Sequence, residues 1–493
     1  MNGFRASTFG RGIGLCAVLA LGLAISSTAA TADEAAWTPS ANAEAQMLSI
    51  EELIHIKVTS VSSAATRWMD SPAAVYVVTA EDIRRSGALT IQDALRQVPG
   101  MNVAQLNGSS WAISTRGENS EFADKMLVMI DGRSVYSPLF SGTYWDVQDV
   151  IMEDIDRIEV IRGPGATIWG ANAVNGIINV LTKKAKDTQG GEAVALAGNQ
   201  DYSSSLRWGD ELPSGTGHYR AWAKGKKQQH LKAPDHSDGD TDITQGRVGF
   251  RADWTHDEVD AFTVSGDGYV GENGSKSLVL NSIVPYEGEE DNDDVDVSGG
   301  HILGVWDREL SETSNLTLQS YVDFSRRETA ALDEDLLTFD IDFKHRFQPT
   351  ENNYVTWGFG YRFYQDELDT TPTAQFDPDD EDLSLYSAFI QNEFRAYDDR
   401  LRLTAGAKIE DNHFTGTEIQ PSVRFAWLAS EEKTFWGSIS RAVQTRNRLD
   451  DGFITFASFA PYEPVPGSPA PPFPEAFLLG YSGDDDADAT TLY

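Results

Sequence analysis

The stretch "IEVIRGPGATIWGANAVNGIINVLTKK", residues 158–184, decides the fold. Two apolar, β-branched runs, 158–161 and 177–182, flank a loop carrying Gly163, Pro164, Gly165, Gly170 and Gly176. A glycine-rich turn after a strand suggests a phosphate cradle, so the nucleotide templates come first. Gly163 and Gly165 open a G-x-G-x-x-G pattern, but Ile168 stands where the third glycine belongs. Gly165 and Gly170 have P-loop spacing, yet Ala171 and Asn172 occupy the Lys and Ser/Thr positions. With no lysine there is no point charge for a terminal phosphate. The stretch reads instead as strand, sharp turn and returning strand. Gly163 and Gly165 bring free φ and Pro164 a fixed φ, while Gly170 and Gly176 allow backbone to approach closely.

The neighbouring segments make this pair part of a compact α+β unit over residues 71–185. Residues 73–78, "AAVYVV", read as a buried strand. Thr79 with Asp82 and Thr90 with Asp93 are helix-start devices, and Pro99-Gly100 stops the second helix. Further strands are expected over 111–116, 125–131, 156–162 and 176–182. The connecting loop 131–149, "DGRSVYSPLFSGTYWDVQD", is rich in aromatic residues and suits either packing or recognition.

At the N-terminus, Arg5 and Arg11 precede an apolar run and then small residues, "SSTAATADEAA". This is the pattern of a secretory signal peptide, residues 1–32, with cleavage after Ala32. The run is shorter than the ~20 residues of a membrane helix. The single cysteine, Cys16, lies inside it, so the exported chain carries no disulfide. Residues 33–70 form a lead. Within it Ile54, His55, Ile56, Lys57, Val58, Thr59, Ser60 and Val61 make an extended segment, suited to an edge strand or to pairing with a partner's strand.

From about residue 190 to 450 the period becomes 2. In 337–345 Leu337, Phe339, Ile341 and Phe343 alternate with Thr338, Asp340, Asp342 and Lys344. Residues 355–363 and 401–410 repeat the habit, and roughly a dozen such segments follow one another. Charges on one face and aromatics on the other fit a transmembrane antiparallel β-barrel with a wet lumen; a soluble sandwich also alternates. Acidic stretches at 235–242, 287–297 and 377–382 read as solvated loops, though clustered carboxylates also bind Ca²⁺. A net charge of −37 disfavours nucleic acid. There is no G-x-S-x-G or H-E-x-x-H motif, and the eight histidines show no ligand spacing. No enzyme activity, cofactor or metal site is therefore expected.

Residues 75–101, "VYVVTAEDIRRSGALTIQDALRQVPGM", then "STRG" at 114–117, "MLVMIDGRSVY" at 126–136 and residues 155–183 follow one another in an order that resembles the plug domain of TonB-dependent outer-membrane receptors. "SRAVQTRNRLD", residues 440–450, is similar to a strand end of their barrel. The resemblance implies an α+β plug inside a transmembrane β-barrel, in the outer membrane of a Gram-negative bacterium. It implies a ligand such as a ferric siderophore or cobalamin, bound at the outer face. It also implies energised release of the plug by TonB through Ile54 to Val61. Arg133, Tyr136, Phe140, Tyr144 and Trp145 are expected at the ligand face. Arg116 and Arg162 are expected to anchor the plug on barrel carboxylates, or else to pair locally, and Asp124 and Lys125 to be ordinary surface. Such barrels have about 22 strands. With roughly a dozen segments and an irregular Pro/Asp-rich tail over 451–493, the chain is expected to be a C-terminally truncated member with an open wall.

Overall fold

The computed structural model describes residues 57–58, 66–461 apart from 108–109, 118, 121, 230–241, 276, 283–286, 292–293, 372 and 431–432, and then 476–482 and 490–492. The expected signal peptide lies outside the described residues. So do Ile54, His55, Ile56, Thr59, Ser60 and Val61, and most of the acidic stretch 235–242.

The first unit is the plug. Strand β1 (Lys57–Val58) pairs with β2 (Thr66–Arg67), and β3 (Ala74–Thr79) runs into helix α1 (Ala80–Ser86). Thr79 caps α1 as expected. Its hydroxyl accepts the Asp82 N–H at 3.1 Å, and the Asp82 carboxylate accepts the Thr79 N–H at 3.0 Å. Thr90 likewise starts α2 (Ile91–Leu95). This helix stops earlier than the 91–98 run suggests, because the Arg96 and Gln97 amides turn back to Asp93 and Ala94 and Pro99 removes the next donor. Then come β4 (Met101–Gln105), β5 (Trp111–Thr115), β6 (Met126–Ile130), β7 (Arg133–Ser134), β8 (Ile155–Arg162), α3 (Ala166–Trp169) and β9 (Gly176–Thr182). The five-stranded sheet has the order β3-β8-β9-β6-β7, with β9 and β6 parallel. One of its faces packs Val78, Ile158, Val160, Ile178 and Val180 against Ile91 and Leu95 of α2. The other packs Leu127, Met129, Ile161 and Ile177 against Trp169 and Val58. Burial on both faces explains why these strands are continuously apolar rather than alternating. Each fully buried aliphatic chain contributes about 1.5–3 kcal/mol.

The second unit is a wall of thirteen antiparallel strands paired in chain order. They are β10 (Gly190–Ala197), β11 (Asp201–Glu211), β12 (Gly217–Gln228), β13 (Ile243–His256) and β14 (Asp260–Asn273). After a hairpin of β15 (Ser277–Ser282) and β16 (Glu287–Asp291) come β17 (Val295–Ser311), β18 (Ser314–Glu328), β19 (Leu332–Thr350) and β20 (Asn353–Thr370). The short β21 (Ala374–Phe376) precedes β22 (Asp380–Ala396), β23 (Leu401–Asn412), β24 (Gly416–Ser430) and β25 (Lys433–Ser440). Connections at one end are tight, such as 312–313 and 351–352; at the other end 229–242, 274–294 and 371–379 are long. Strand parity holds as read from the sequence. Ile302, Phe339, Phe359, Ile390 and Phe425 stand exposed on the outer face, while Arg220, Arg247, Asp340, Glu410 and Gln420 are buried against the plug. The end strands β10 and β25 do not pair with each other, so the wall is not closed.

The tail corrects one expectation. Residues 451–493 are not uniformly irregular: β26 (Ala442–Gln444) pairs with β29 (Thr490–Leu492), and β27 (Phe453–Pro461) bridges β21 and β28 (Ala476–Ser482). The reason is local composition. "FITFASFA", 453–460, is aromatic and β-branched, which favours a strand, and the prolines begin only at Pro461.

The glycines of 158–184 have the tasks expected of them. Gly163 sits at φ 122° and Gly170 at φ 87°. A Cβ on Gly176 would lie 2.2 Å from the Ile161 carbonyl oxygen, across the β8–β9 pair. A Cβ on Gly170 would lie 2.1 Å from a carboxylate oxygen of Glu410. Gly170→Ala therefore combines a left-handed φ with a collision and is expected to cost about 1–3 kcal/mol, read as a lower thermal midpoint of the detergent-solubilised protein. On the wall, Ile302→Arg places a charge on the outer face and is expected to cost about 2–4 kcal/mol, read by denaturant titration of folding into lipid vesicles.

Candidate ligand face and plug–wall interface

The glycine loop is gripped from the wall. Gly170 has no side chain, so the Glu410 carboxylate comes close enough to accept the Ala171 N–H at 2.6 Å. Lys408 holds that carboxylate at 3.1 Å and Gln420 donates to it at 2.5 Å. Asn172, at φ 66°, clasps the segment after β25. Its N–H donates to the Val443 carbonyl at 2.9 Å, its Oδ1 accepts the Thr445 N–H at 2.9 Å, and its Nδ2 donates to the Tyr136 hydroxyl at 3.1 Å. Asparagine tolerates this left-handed conformation better than most residues.

The rest of the interface is mostly charge pairing, with most of the acids on the plug and the sense reversed where plug Arg133 meets wall Asp323. Asp146 takes Arg327 on both oxygens at 2.7 and 2.8 Å and also accepts from Asn273 at 2.7 Å. Asp149 pairs with Lys224 at 2.6 Å, and Asp154 with Arg207 and, at 3.3 Å, with Arg220. Asp131 meets Arg251 at 3.4 Å, and Asp70 meets Arg402 at 3.6 Å. Burial alone raises the pKa of the Asp149 carboxyl, but Lys224, Lys226 and Arg247 overcome that and hold it at about 2.

This corrects the expected anchors. Arg162 donates to the Pro99 carbonyl at 2.6 Å, and Arg116 to the Arg162 carbonyl at 3.2 Å. Among the described residues neither reaches a wall carboxylate. Both guanidiniums tie plug loops together at the start of the glycine turn, while the cations facing the plug come from the wall. Alternation shows that Arg220, Arg247 and Arg327 face the lumen; no sequence signal shows which acids they meet.

The aromatic loop 131–149 rises to the end with long connections. Its five candidates separate. Trp145 is buried in the plug core, where Gln92 donates to its carbonyl at 2.6 Å. Phe140 packs with Leu139, Leu368 and Phe376. Arg133 is buried and pairs with Asp323 of β18 at 2.5 Å. Tyr144 donates to Glu334 at 2.8 Å, with the Arg327 guanidinium 4.1 Å above its ring. Arg133, Tyr136 and Tyr144 share a small cleft with Tyr269 and Asp323. Tyr136 alone also lines the main outer cleft, about 1160 Å³ including its open mouth, between the plug and β19, β20, β22 and β23. Ser384, His413, Phe414 and Arg446 line it near the long connections, and Asp340, Arg362 and Glu410 line its wall. Among the described residues no cluster of metal-ligating side chains occurs.

Residues 445–450 cross over the apex of this loop, a role the sequence does not announce. Arg448 is fully buried. It pairs with Asp366 at 3.1 Å and Glu381 at 2.6 Å, and its N–H donates to the Pro138 carbonyl at 3.1 Å. The same segment covers Asp124, which accepts from Gln444 and so is not the plain surface expected. Burial, and then the nearby Asp450 carboxylate, push the Asp124 carboxyl up to about 6. The folded state thus binds a proton that the unfolded chain has already lost, and stability falls as pH rises from about 4 through about 6. Asp124→Asn is expected to flatten that part of the profile, measured as thermal midpoint against pH.

Comparison with known proteins follows this geometry. Residues 67–177 match the family model of the TonB-dependent receptor plug domain, and residues 177–478 that of the TonB-dependent receptor-like β-barrel. The chain is 31% identical over 130 residues to the vitamin B12 transporter BtuB of Vibrio cholerae, a match covering 26% of this chain and 21% of that protein. Among solved structures, the siderophore receptor PirA of Acinetobacter baumannii superposes with TM-score 0.66 at 17% identity, over 85% of this chain and 67% of that one. The FpvAI–pyocin S2 complex gives TM-score 0.66 at 15% identity, over 79% and 58%. The ferric enterobactin receptor PfeA of Pseudomonas aeruginosa gives 0.64 at 17% identity, over 86% and 69%. At these identities the structures speak for the fold alone, and the chain spans between about a fifth and about two thirds of these relatives' lengths. The two family models together cover most of the chain: it belongs to the TonB-dependent receptors, a plug domain followed by a receptor β-barrel.

Proposed function

We propose that this chain serves energy-coupled uptake of a scarce ligand across the outer membrane, with a ferric siderophore as the preferred cargo. The observation that carries the reading is the plug–wall interface. The plug is held by ion pairs and hydrogen bonds that water can replace, beneath a cleft that opens toward the long connections. An apolar seal of similar extent would resist displacement by solvent; a polar one can part and re-form. Cobalamin is the alternative cargo, from the BtuB match. No covalent chemistry is required of any residue.

TonB is the proposed partner, meeting residues Ile54, His55, Ile56, Lys57, Val58, Thr59, Ser60 and Val61 by strand addition. Lys57 and Val58 are paired with Arg67 and Thr66, and Val58 is buried against the plug sheet. That pairing must open before another strand takes its place. The pull would then pass through Val58 to β3, β8 and β9.

A second reading is a non-transporting outer-membrane binding protein, which would use the same outer cleft without displacing the plug.

Growth under iron limitation tests the uptake reading. A deletion strain supplied with single ferric siderophores is expected to lose growth on at least one of them. Complementation with the intact gene restores that growth, and a Val58→Pro variant does not. Growth equal to the parent on every iron chelate and on cobalamin contradicts uptake and leaves the binding reading.

A further inference from the structure

The approach to the outer cleft is negative. The long connections 229–242, 274–294 and 371–379 carry twelve Asp and Glu residues against two lysines and no arginine. Asp379, Asp380 and Asp382 stand exposed immediately before Leu383 and Ser384, which line the cleft. A rim of one sign raises the arrival rate of the opposite charge by on the order of tenfold or more, and lowers that of its own.

Inside, the cations are engaged. Arg362 is met by Asp340 at 2.7 Å, Lys408 by Glu410 at 3.1 Å, Arg446 by Asp451 at 3.4 Å and His413 by Glu381 at 2.7 Å. Lys344 lies 5.2 Å over the Trp169 ring and also acts on Asp340. An anionic ligand would have to take one of these cations from its carboxylate, and a buried pair is costly to break. Acceptors, by contrast, remain. Asp342 lines the cleft over the bare backbone of Gly360, where a Cβ would lie 2.5 Å from its Oδ1. Among the described residues its carboxylate has no ion pair or hydrogen bond. Asp340, two residues along the same face, is 3% exposed and keeps its Oδ1 without a hydrogen-bond partner. Tyr136, Tyr361 and Phe414 add ring faces, which attract a cation further.

We propose that the cargo of this cleft carries a net positive charge, as a protonated amine beside its chelate, and that Asp342 receives that amine. The acidic rim speeds its arrival, and Asp340 adds a second acceptor at the same depth. This rests on the cleft being the cargo site, and it fixes the charge class of what enters.

Binding to the purified full chain in detergent tests it, read as quenching of tryptophan fluorescence. The probes are ferrioxamine B, a ferric trihydroxamate ending in a protonated amine; its N-acetyl derivative, which keeps the chelate and loses that charge; and ferric enterobactin, a trianion. Ferrioxamine B is expected to bind at least several-fold more tightly than the other two, with an association rate that falls as salt is added. Asp342→Asn is expected to bring the affinities of the two trihydroxamates together. If that variant does not fold, as judged by its thermal transition, the exposed set Asp379→Asn, Asp380→Asn and Asp382→Asn carries the test, and is expected to slow association of ferrioxamine B but not of its N-acetyl derivative. Equal binding of the two trihydroxamates, tighter binding of the trianion, or binding of none of the three overturns the proposal. Preferential binding of ferrioxamine B without growth on it supports the proposal and counts against uptake.

Discussion

A charge on the inner face of a barrel strand must be hydrated or paired, and a plug that fills the lumen removes most of the water. The remaining structure depends on how that demand is met. Asp70, Asp131, Asp146, Asp149 and Asp154 of the plug supply the negative partners for Arg402, Arg251, Arg327, Lys224 and Arg207 of the wall. Buried ion pairs of this kind add little net stability relative to well-packed apolar groups, yet breaking one by removing a single partner is strongly destabilising. They therefore fix position more than they add strength. A plug held this way has a defined seat.

The glycine stretch does the complementary task with backbone. Gly176 lets β8 and β9 lie close, Gly163 turns the chain out of β8, and Gly170 leaves the space into which Glu410 reaches. The Glu410 contact then couples the glycine loop of the plug to β23, while Asn172 couples it to Thr445 and, through the Tyr136 hydroxyl, to the aromatic loop. The glycine loop that joins β8 and β9 is thus tied directly to the wall and to the outer cleft.

Much of this was legible in the residues. The caps at Thr79 and Thr90 state their own geometry, because the partner lies three residues away. The alternation over 337–345 states which side chains face the lumen, because strand period is fixed at two. Long-range partners were not legible. Arg116 and Arg162 were expected to meet barrel carboxylates or else a local partner, and their guanidiniums fold back onto plug carbonyls. Phe140 and Trp145 looked like recognition residues because they sit in a long loop, but that loop wraps over apolar strands and buries them. Asp124 looked like surface because nothing near it in sequence shows that Gln444 and Asp450 return over it. Each miss is a contact between residues far apart along the chain, where propensity and period carry no information.

The most direct test of the central claim, that wall cations and plug acids seat the plug, is a double-mutant cycle on Asp146→Asn and Arg327→Gln, read as unfolding free energy in detergent. The account predicts that the two losses are strongly non-additive, with a coupling of about 1–3 kcal/mol. Additivity within about 0.3–0.5 kcal/mol would mean that the two side chains do not act on each other, and the claim would be contradicted.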